Sequence, residues 1–349
     1  MVSFGERLFL KAYRRLQTGE NPEAEIGRFL TEVVRFPRCV PVAGTIDHVD
    51  GGGRVTTLAL LQAYVEHQGD AWRYTLDYLD RELERESAVG TRGRAAEVHG
   101  GYLALIRTLG VRTAELHAAL SRRTGNPSFD PEPISMPDIA EWVHRARSEA
   151  DAVFARLTDR MTSLPETVRA SAQRVLDARG AIVGQIDAHT NDKTAGTKVR
   201  VHGDYHLGQA LVAKNDFVIV DFEGEPSRPL AERRKKQSTL KDVAGMLRSF
   251  DYAMHTALDR ASRARPEHDA VLRELGREWQ DVTRRAYLDG YEEVARSAGL
   301  ASPREEATRL LQLFLIEKAC YELDYELDNR PTWVAVPLAG LAAMTSAAA

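Results

Sequence analysis

The sequence predicts an α+β fold in two unequal lobes, a small β-rich lobe over residues 1–68 and a large helical lobe over residues 69–349. Apolar runs bounded by turn residues predict strands in the small lobe. Long segments whose apolar residues recur with helical spacing fill most of the rest, and Gly and Pro residues separate them. One β-like stretch around residue 210, with polar residues at both ends, interrupts the helices.

The small lobe combines strands with one helix. Residues 8–13 predict a first strand, and residues 21–33 predict a helix with Asn21 as its N-cap. Two more strands, at 39–49 and 54–65, are separated by an Asp-Gly-Gly-Gly turn. Strand, helix and hairpin in this order predict a small sheet that carries one helix.

The large lobe is predominantly helical. Apolar runs on either side of a Lys-Asn-Asp turn predict a β-hairpin over residues 210–221. We expect the last six residues, 344–349, to be frayed. The helix-period segments lie at 93–123, 137–161, 165–190, 239–263, 267–298 and 303–329.

Composition limits the classes of partner. The formal net charge of −4 and the short, acid-flanked basic run at 233–236 favour neither nucleic acid nor an anionic membrane as a partner. The two cysteines, Cys39 and Cys320, form neither a metal-binding spacing nor a disulfide framework. No stretch is long and apolar enough to span a membrane, and the first residues do not resemble a secretory signal. We therefore expect a cytoplasmic protein.

The residues around the predicted hairpin suit phosphoryl transfer from ATP. This reaction needs a carboxylate that orients and deprotonates the attacking hydroxyl, and oxygen ligands that hold Mg²⁺ on the phosphates. His202-Gly203-Asp204 precedes the hairpin, Gln209 follows five residues after Asp204, and Asp221 and Glu223 follow the second strand. The pattern resembles the protein-kinase arrangement His-x-Asp-x₄-Asn followed by Asp-Phe-Gly, with Gln in place of Asn.

The kinase pattern also predicts a lysine and a glutamate in the small lobe. Lys11 on the first strand and Glu25 on the following helix fit this pair, and we expect them to contact each other. Each element taken alone is more often structural than catalytic, and the joint order is what favours a kinase. The segment at 60–70 lies where the hinge between lobes is expected, so adenine would meet the backbone of Gln62, Tyr64 and Val65.

The longer segment around the hairpin resembles one family. Residues 200–253, RVHGDYHLGQ through RSFDYA, look like bacterial maltokinase, especially the maltokinase part of trehalose synthase–maltokinase fusion proteins. Residues 110–120 and 321–341 are similar to the same family. The resemblance implies a bilobal protein-kinase-like fold close to that of aminoglycoside phosphotransferases. It further implies that ATP and Mg²⁺ phosphorylate maltose to maltose 1-phosphate, which feeds trehalose and α-glucan metabolism.

The same resemblance implies roles for individual residues. By position, Asp204 is the catalytic base, Lys11 binds the phosphates, and Gln209 and Asp221 hold Mg²⁺. Glu223 is a further acid near the metal.

Two other features bear on the resemblance. Asp242, at the start of a predicted helix, is expected to brace the catalytic loop, and an acid there also suits the helix dipole. At the N-terminus the chain departs from maltokinases, which carry a cap segment and further strands before the lysine strand. We therefore expect a truncated small lobe, which places activity of the isolated chain in question.

The last long helix offers sugar-binding side chains. Aromatic faces and hydrogen-bonding acids are what a sugar site requires, and the resemblance favours Tyr321, Glu322, Tyr325 and Glu326 as substrate contacts. The alternative is that Lys318, Glu322, Glu326 and Arg330 form a ladder of charges that only solvates a surface. Tyr205 and His206, beside the expected base, are further candidate sugar contacts, although His206 could be a loop histidine.

Two other functions stay open. Since a fold does not fix a substrate, the acceptor could be another sugar or an aminoglycoside. Alternatively, the chain could be a non-catalytic fragment that acts with a trehalose synthase partner.

Overall fold

The computed structural model describes residues 2–89, 99–191 and 196–346. The start of the predicted helical segment 93–123 and the end of the predicted frayed tail lie outside these residues. Within them the chain is α+β, with a small antiparallel sheet at one end and long helices in the rest.

The sheet contains four antiparallel strands in the order β1-β2-β4-β3. Two predicted strands and the turn between them are confirmed, and Asp50 Oδ1 closes that turn by accepting from the Gly52 and Arg54 amides at 2.9 and 3.0 Å. In the register, Lys11 of β2 lies opposite Leu60 of β4, which is fully buried. The strands are β1 (Val2–Phe4), β2 (Leu8–Ala12), β3 (Val42–Val49) and β4 (Val55–Ala63).

One helix packs between this sheet and the helical part. It begins as α1 (Pro22–Arg28), and Asn21 caps it by accepting from the Glu23 amide at 2.8 Å, as predicted. The chain then continues as a π-helical turn over Phe29–Val33. Phe29 stacks on Phe129 at 3.9 Å between ring centres, so the end of the helix is anchored in the larger part of the molecule.

Most of the predicted helical segments are confirmed, with four differences. The segment 165–190 is two helices that meet at Ala178, and three helices, over Ala71–Val89, Leu230–Arg233 and Ala335–Ser346, were not predicted. The last of these, α11, is almost entirely apolar in sequence, so it lacks the periodicity that sequence analysis uses. The helices are α2 (Ala71–Val89), α3 (Gly100–Leu120), α4 (Met136–Arg160), α5 (Glu166–Asp177), α6 (Arg179–Asp187), α7 (Leu230–Arg233), α8 (Leu240–Ala264), α9 (Asp269–Ser297), α10 (Arg304–Asn329) and α11 (Ala335–Ser346).

The predicted hairpin is present within the helical part. Its strands are β7 (Ala210–Ala213) and β8 (Asp216–Ile219), paired antiparallel. Lys214 and Asn215 form the turn, both with positive φ, as expected for a two-residue hairpin loop. A second small sheet joins β5 (Glu132–Pro133), β6 (Thr197–Val199) and β9 (Gln237–Ser238).

The hydrophobic core has two clusters. The first contains side chains of α1, α2, α3, α8, α9 and the hairpin, and the second contains side chains of α4, α5, α6, α10 and α11. In the first cluster α3 and α9 touch backbone to backbone, because a Cβ on Gly110 or Gly290 would overlap a carbonyl of the facing helix. Leu240, Leu311 and Leu315 pack against both clusters, so α8 and α10 run where the two cores meet.

Each core cluster contains one buried thiol. Cys39 lies in the first cluster and Cys320 in the second, and neither is in a disulfide. Burial raises the pKa of Cys39 to about 12, and burial also raises the pKa of Cys320. Across the described part of the chain, no helix combines the length and apolar character needed to cross a lipid bilayer.

Candidate active site

The loop that carries Asp204 is held from below by one buried carboxylate. Asp242, in the first turn of α8, accepts from the His202 amide at 2.8 Å and from the Gly203 amide at 2.9 Å. His117 Nε2 lies 3.1 Å from the same carboxylate. Burial alone would raise the pKa of Asp242, but the hydrogen bond and charge of His117 hold it below its usual value. The predicted bracing role of Asp242 is confirmed in its geometry.

The loop also contacts the segment that follows the hairpin. His202 Nε2 lies 2.9 Å from the carbonyl of Val220. Gly203 has a φ of +84°, and a Cβ there would lie 3.4 Å from the Cα of Gly224, which also has positive φ. Glycine is needed at both positions for that backbone conformation. Asp204 follows with its side chain 26% exposed, so the loop presents a solvent-accessible carboxylate on a fixed backbone.

Lys11 faces three carboxylates. Its Nζ lies 2.8 Å from Glu23, 2.5 Å from Asp221 and 3.7 Å from Glu223. Burial opposes the charge of Lys11, but Glu23 and Asp221 outweigh it and raise the lysine pKa above its usual value. The Tyr13 hydroxyl donates to the same Glu23 oxygen at 2.9 Å. The structure therefore places Lys11 beside Asp221 and Glu223, two of the predicted metal ligands, just after the second strand of the hairpin.

The predicted contact between Lys11 and Glu25 is wrong, because Glu23 takes that place. Residues two apart on an α-helix point about 200° away from each other, so only one of these glutamates can face the lysine. Glu25 instead accepts from Arg200 at 2.8 Å and from Arg234 at 2.8 and 3.0 Å. Burial alone would raise the pKa of Glu25, but the two arginines lower it.

The residues of the basic run at 233–236 are all paired within the protein. Arg233 donates to the carbonyl of Glu223 at 2.9 Å, and Arg234 binds Glu25. The next two residues, Lys235 and Lys236, form ion pairs with Glu141 and Glu132 at 2.6 and 2.5 Å.

Asp221 and Gln209 form the core of a possible metal site. Gln209 Nε2 donates to Asp221 Oδ2 at 3.0 Å, which leaves the amide oxygen of Gln209 as a ligand. Burial would raise the pKa of Asp221, but the charge and hydrogen bond of Lys11 hold it below its usual value, so Asp221 is ionised at neutral pH. Asn21 Nδ2 is within 3.4 Å of Glu223 Oε1, which keeps that third oxygen ligand near the site.

The donor set fits Mg²⁺ better than a softer metal. Among residues 2–89, 99–191 and 196–346, no group of three or more His, Cys, Asp or Glu side chains is arranged to hold a metal ion. Mg²⁺ retains water and phosphate oxygens as ligands and needs only one or two protein carboxylates. Asp221, Gln209 and Glu223 supply hard oxygen atoms of this kind, so they fit a nucleotide-bound magnesium ion.

The sheet limits which of the predicted backbone groups are free to contact adenine. Gln62 pairs with Phe9 on one side and Val42 on the other, and it is 9% exposed. The Tyr64 amide donates to the carbonyl of Arg7 at 2.9 Å, so this amide is not free for a base. Contact of adenine with Val65 stays a prediction.

A cleft beside Asp204 is lined with charges of both signs. Lys318 of α10 places its Nζ 3.6 Å from Asp204 Oδ1 and 3.3 Å from Glu225 Oε1. Arg228 Nε donates to the other oxygen of Glu225 at 2.7 Å. The ring of Tyr321 lies under the lysine, 4.8 Å from Nζ. The cleft adjoins the carboxylate that would receive the acceptor proton, so it is the candidate acceptor site.

Buried charges support this cleft from the protein side. Glu317, which is 3% exposed, accepts from Arg145 at 2.7 Å and from Lys241 at 3.4 Å. Burial would raise the pKa of Glu317, but Lys241 and Arg145 lower it to about 2. The cleft floor is thus a network of paired charges rather than an apolar surface.

Of the four predicted sugar contacts on α10, only Tyr321 lines this cleft. Glu322 is buried and accepts from Arg248 at 2.6 and 2.8 Å, while buried Glu326 binds Arg330 at 2.6 and 2.9 Å. Tyr325, one turn further along the same helix, is 46% exposed and does not line the cleft. The geometry does not support the predicted substrate role of Glu322 and Glu326, since their oxygens are used in ion pairs within the protein. The alternative surface ladder is present only in its last pair, Glu326 with the half-exposed Arg330, because Lys318 and Glu322 pair with Glu225 and Arg248 instead.

The two candidates beside the base differ. Tyr205 lines the cleft, but its side chain is 2% exposed and its hydroxyl is 3.1 Å from the Thr113 hydroxyl, so the geometry does not support a sugar contact by the phenol. His206 Nδ1 accepts from the Gly208 amide at 3.1 Å, and burial lowers its pKa. A sugar contact by His206 stays a prediction.

Sequence reasoning missed several residues of the site. Glu23 needed the rotational position of α1 relative to β2, which the sequence does not give. Glu225 and Arg228 lie within the motif-bearing stretch and could have been suspected from its high density of charge. Lys318 carried no such signal, because it is distant in sequence from Asp204.

Curated proteins similar to this chain include two that are named glucosamine kinase. The one from Streptacidiphilus jiangxiensis is 29% identical over 287 residues, 82% of this chain and 57% of that protein. The one from Mycolicibacterium smegmatis is 24% identical over 300 residues, 86% of this chain and 64% of that protein. The chain thus spans less than two thirds of the length of these relatives. No family model matches it.

Similar solved structures also include glucosamine kinases. One, in complex with glucosamine, ADP and inorganic phosphate, superposes with a TM-score of 0.75 at 25% identity, covering 97% of this chain and 72% of that one. A crystal form of glucosamine kinase gives a TM-score of 0.75 at 26% identity, over 97% and 73% of the two chains. The chain has the bilobal α+β kinase fold of the aminoglycoside phosphotransferase type, and the predicted fold class is confirmed.

Proposed function

We propose that this chain transfers the terminal phosphoryl group of ATP to a hydroxyl group of glucosamine or a closely related amino sugar. The observation that carries the phosphotransferase proposal is the juxtaposition of Lys11 and Asp221, 2.5 Å apart, with Asp204 on a loop fixed by Asp242. The names of the relatives support the sugar.

Each residue has a distinct part in this reaction. Asp204 orients the acceptor hydroxyl and receives its proton as the oxygen bonds to phosphorus. Lys11, held by Glu23, binds the nucleotide phosphates. Asp221 and Gln209 would hold Mg²⁺, which supplies charge stabilisation to the phosphates when bound. Most of the rate enhancement is then positioning and electrostatic stabilisation of the transferred group.

The acceptor is the point on which the resemblance and the relatives disagree. The motif stretch resembles maltokinase and suggests maltose, whereas the relatives are named for glucosamine. Nothing in those names supports maltose or a trehalose synthase partner. We therefore propose glucosamine as the acceptor and keep maltose as the competing substrate.

An acceptor panel tests the proposal. The purified chain is incubated with MgATP and glucosamine, maltose or an aminoglycoside, and ADP release and product phosphorus NMR are measured. We expect turnover with glucosamine, and we expect Asp204→Asn to lower kcat by roughly 10²–10⁴-fold, the usual contribution of an acid–base group. Asp324→Asn is the matched control, since Asp324 is a partly exposed partner of Arg156.

Three results would contradict parts of the proposal. Turnover with maltose alone would replace the acceptor. Unchanged activity in Asp204→Asn would remove that residue from its role. Tight MgATP binding in calorimetry without turnover on any acceptor would support a non-catalytic fragment instead.

A further inference from the structure

Lys318 enters the acceptor cleft from a helix remote in sequence from the catalytic loop. Its Nζ lies between two carboxylates, 3.6 Å from Asp204 and 3.3 Å from Glu225. The side chain is 27% exposed and lines the cleft. The sequence placed this lysine in a surface ladder, and the structure places it beside the proposed base.

We propose that Lys318 is a positioning residue that holds the Asp204 carboxylate in the orientation needed to accept the acceptor proton. This proposal rests on the proposed phosphotransfer to a hydroxyl. It adds a cation on the acceptor side, distinct from Lys11 on the nucleotide side.

The first argument is that Asp242 and Lys318 act on different parts of the loop. Asp242 fixes the loop through the amides of His202 and Gly203, which sets the backbone and not the Asp204 side chain. The ion pair with Lys318 acts on the carboxylate itself. At 3.6 Å the lysine attracts one oxygen without a short hydrogen bond, so the carboxylate retains lone pairs for a proton.

The second argument is that Lys318 is itself fixed. Glu225 holds its ammonium group, and Arg228 holds the second oxygen of Glu225 at 2.7 Å. The Tyr321 ring, one turn later on the same helix, packs against the ammonium group. A lysine anchored on two sides loses little additional entropy when it orients a third group.

The third argument is that Lys318 remains charged. Burial opposes its charge, but Glu225 and Asp204 raise its pKa above the usual value. Other charged and titratable groups facing this centre are Glu322 and Tyr321 on its own helix, Lys241, Asp242 and Glu317 in the cleft, and Arg228 and His206 on the adjoining loops.

Lys318→Ala tests the proposal by kinetics. We expect kcat to fall roughly 100-fold, the effect of misplacing a reacting group by about 1 Å, with the KM for ATP changed less than about three-fold. Methylammonium added to this variant should restore part of kcat, and Lys318→Arg should retain part of it. Lys235→Ala, which breaks an ion pair at the protein surface, is the control. Its kcat should match that of the unmodified chain, and methylammonium should not alter it.

A crystal structure of Lys318→Ala supplies a readout that needs no turnover. We expect the Asp204 side chain to change rotamer or to occupy several, while the His202–Gly203 backbone stays on Asp242. An unmoved Asp204 carboxylate would overturn the proposal whether or not any acceptor is phosphorylated. A folded variant whose kcat is unchanged, or whose lost activity no amine restores, would also overturn it. Absence of turnover in the unmodified chain would instead count against the proposed function.

Discussion

The two sides of the candidate active site differ in their balance of charge. The nucleotide-side cluster, Lys11 with Glu23, Asp221 and Glu223, has one cation for three carboxylates. The acceptor-side cluster, Lys318 and Arg228 with Asp204 and Glu225, has equal numbers of both.

This difference indicates which side needs a further component. An excess of carboxylates in a half-buried site is costly unless another cation neutralises it, which supports the proposed metal ion on the nucleotide side. The acceptor side is already neutral and held by its own ion pairs, which suits a polar, preorganised sugar pocket. The predictions below remove carboxylates from the nucleotide side or truncate side chains on the acceptor-side helix.

Removal of Asp221 should have the largest effect on the nucleotide side. We expect Asp221→Asn to lower kcat/KM by roughly 10³-fold and to abolish magnesium-dependent ATP binding, because it removes a metal ligand and the partner of Lys11. Isothermal titration calorimetry of ATP with and without Mg²⁺ measures this loss.

Asp216→Asn is the matched control at the other end of the same hairpin. Asp216 pairs with Arg112 at 2.7 Å, away from Lys11. Its variant should lose some stability and keep magnesium-dependent binding. Equal loss of ATP binding in both variants would mean that hairpin integrity, not metal ligation, explains the effect.

Glu23 and Glu25 are two residues apart, but their substitution should affect different properties, ATP binding for Glu23 and stability for Glu25. Glu25→Gln leaves the buried Arg200 without its carboxylate, so we expect the free energy of unfolding to fall by about 3–5 kcal/mol. Glu23→Gln removes one partner of Lys11 and leaves Asp221, so we expect the KM for ATP to rise roughly ten-fold. Denaturant unfolding and steady-state kinetics on both variants separate the two effects.

Glu23 and Glu25 should also differ in how they make the free energy of unfolding depend on pH in the acidic range. The pKa of Glu25 is lowered, so its contribution is complete above the ordinary glutamate range and is lost as the pH falls through the lowered value. Burial raises the pKa of Glu23 despite the opposing charge of Lys11, so ionising Glu23 makes the folded state less stable as the pH rises. The Glu25→Gln variant should thus show weaker acid dependence than the unmodified chain. A large stability loss in Glu23→Gln at neutral pH would contradict this division.

The smallest effect on stability and on the acceptor KM is expected from substitution of Tyr325 on α10. Tyr325→Ala should change stability by less than about 0.5 kcal/mol and leave the acceptor KM unchanged, because the ring is exposed outside the cleft. Tyr321→Ala should raise the acceptor KM. A larger effect at Tyr325 than at Tyr321 would restore the sequence-based assignment of a sugar contact there.

Sequence analysis succeeded where the chemistry is local in the chain. Gln209 and Asp221 lie at the two ends of one hairpin, so their order and spacing were enough to predict that they meet, with Asp204 on the loop just before them. The bracing by Asp242 was implied by the family resemblance, since its place at the start of a helix alone equally suits a dipole role. The fold class followed from strands and helices whose periodicity reflects one buried face.

The failures concern relations that spacing does not encode. Choosing Glu23 over Glu25 required the phase of α1 relative to β2, which depends on the packing of α1 between the sheet and the helical part. The buried ion pair of Glu322 with Arg248 and the approach of Lys318 to Asp204 depend on how α8 and α10 cross. Spacing along one helix gives its faces, and it does not say which neighbour each face meets.

The two buried thiols lie in different halves of the hydrophobic core. Because each thiol is shielded, a thiol reagent reaches it only when the surrounding cluster opens. The native sequence thus contains two internal reporters, Cys39 for the cluster that joins α1 to the hairpin and Cys320 for the cluster around α10. Their labelling rates in mild denaturant distinguish one cooperative opening of the molecule from two sequential ones.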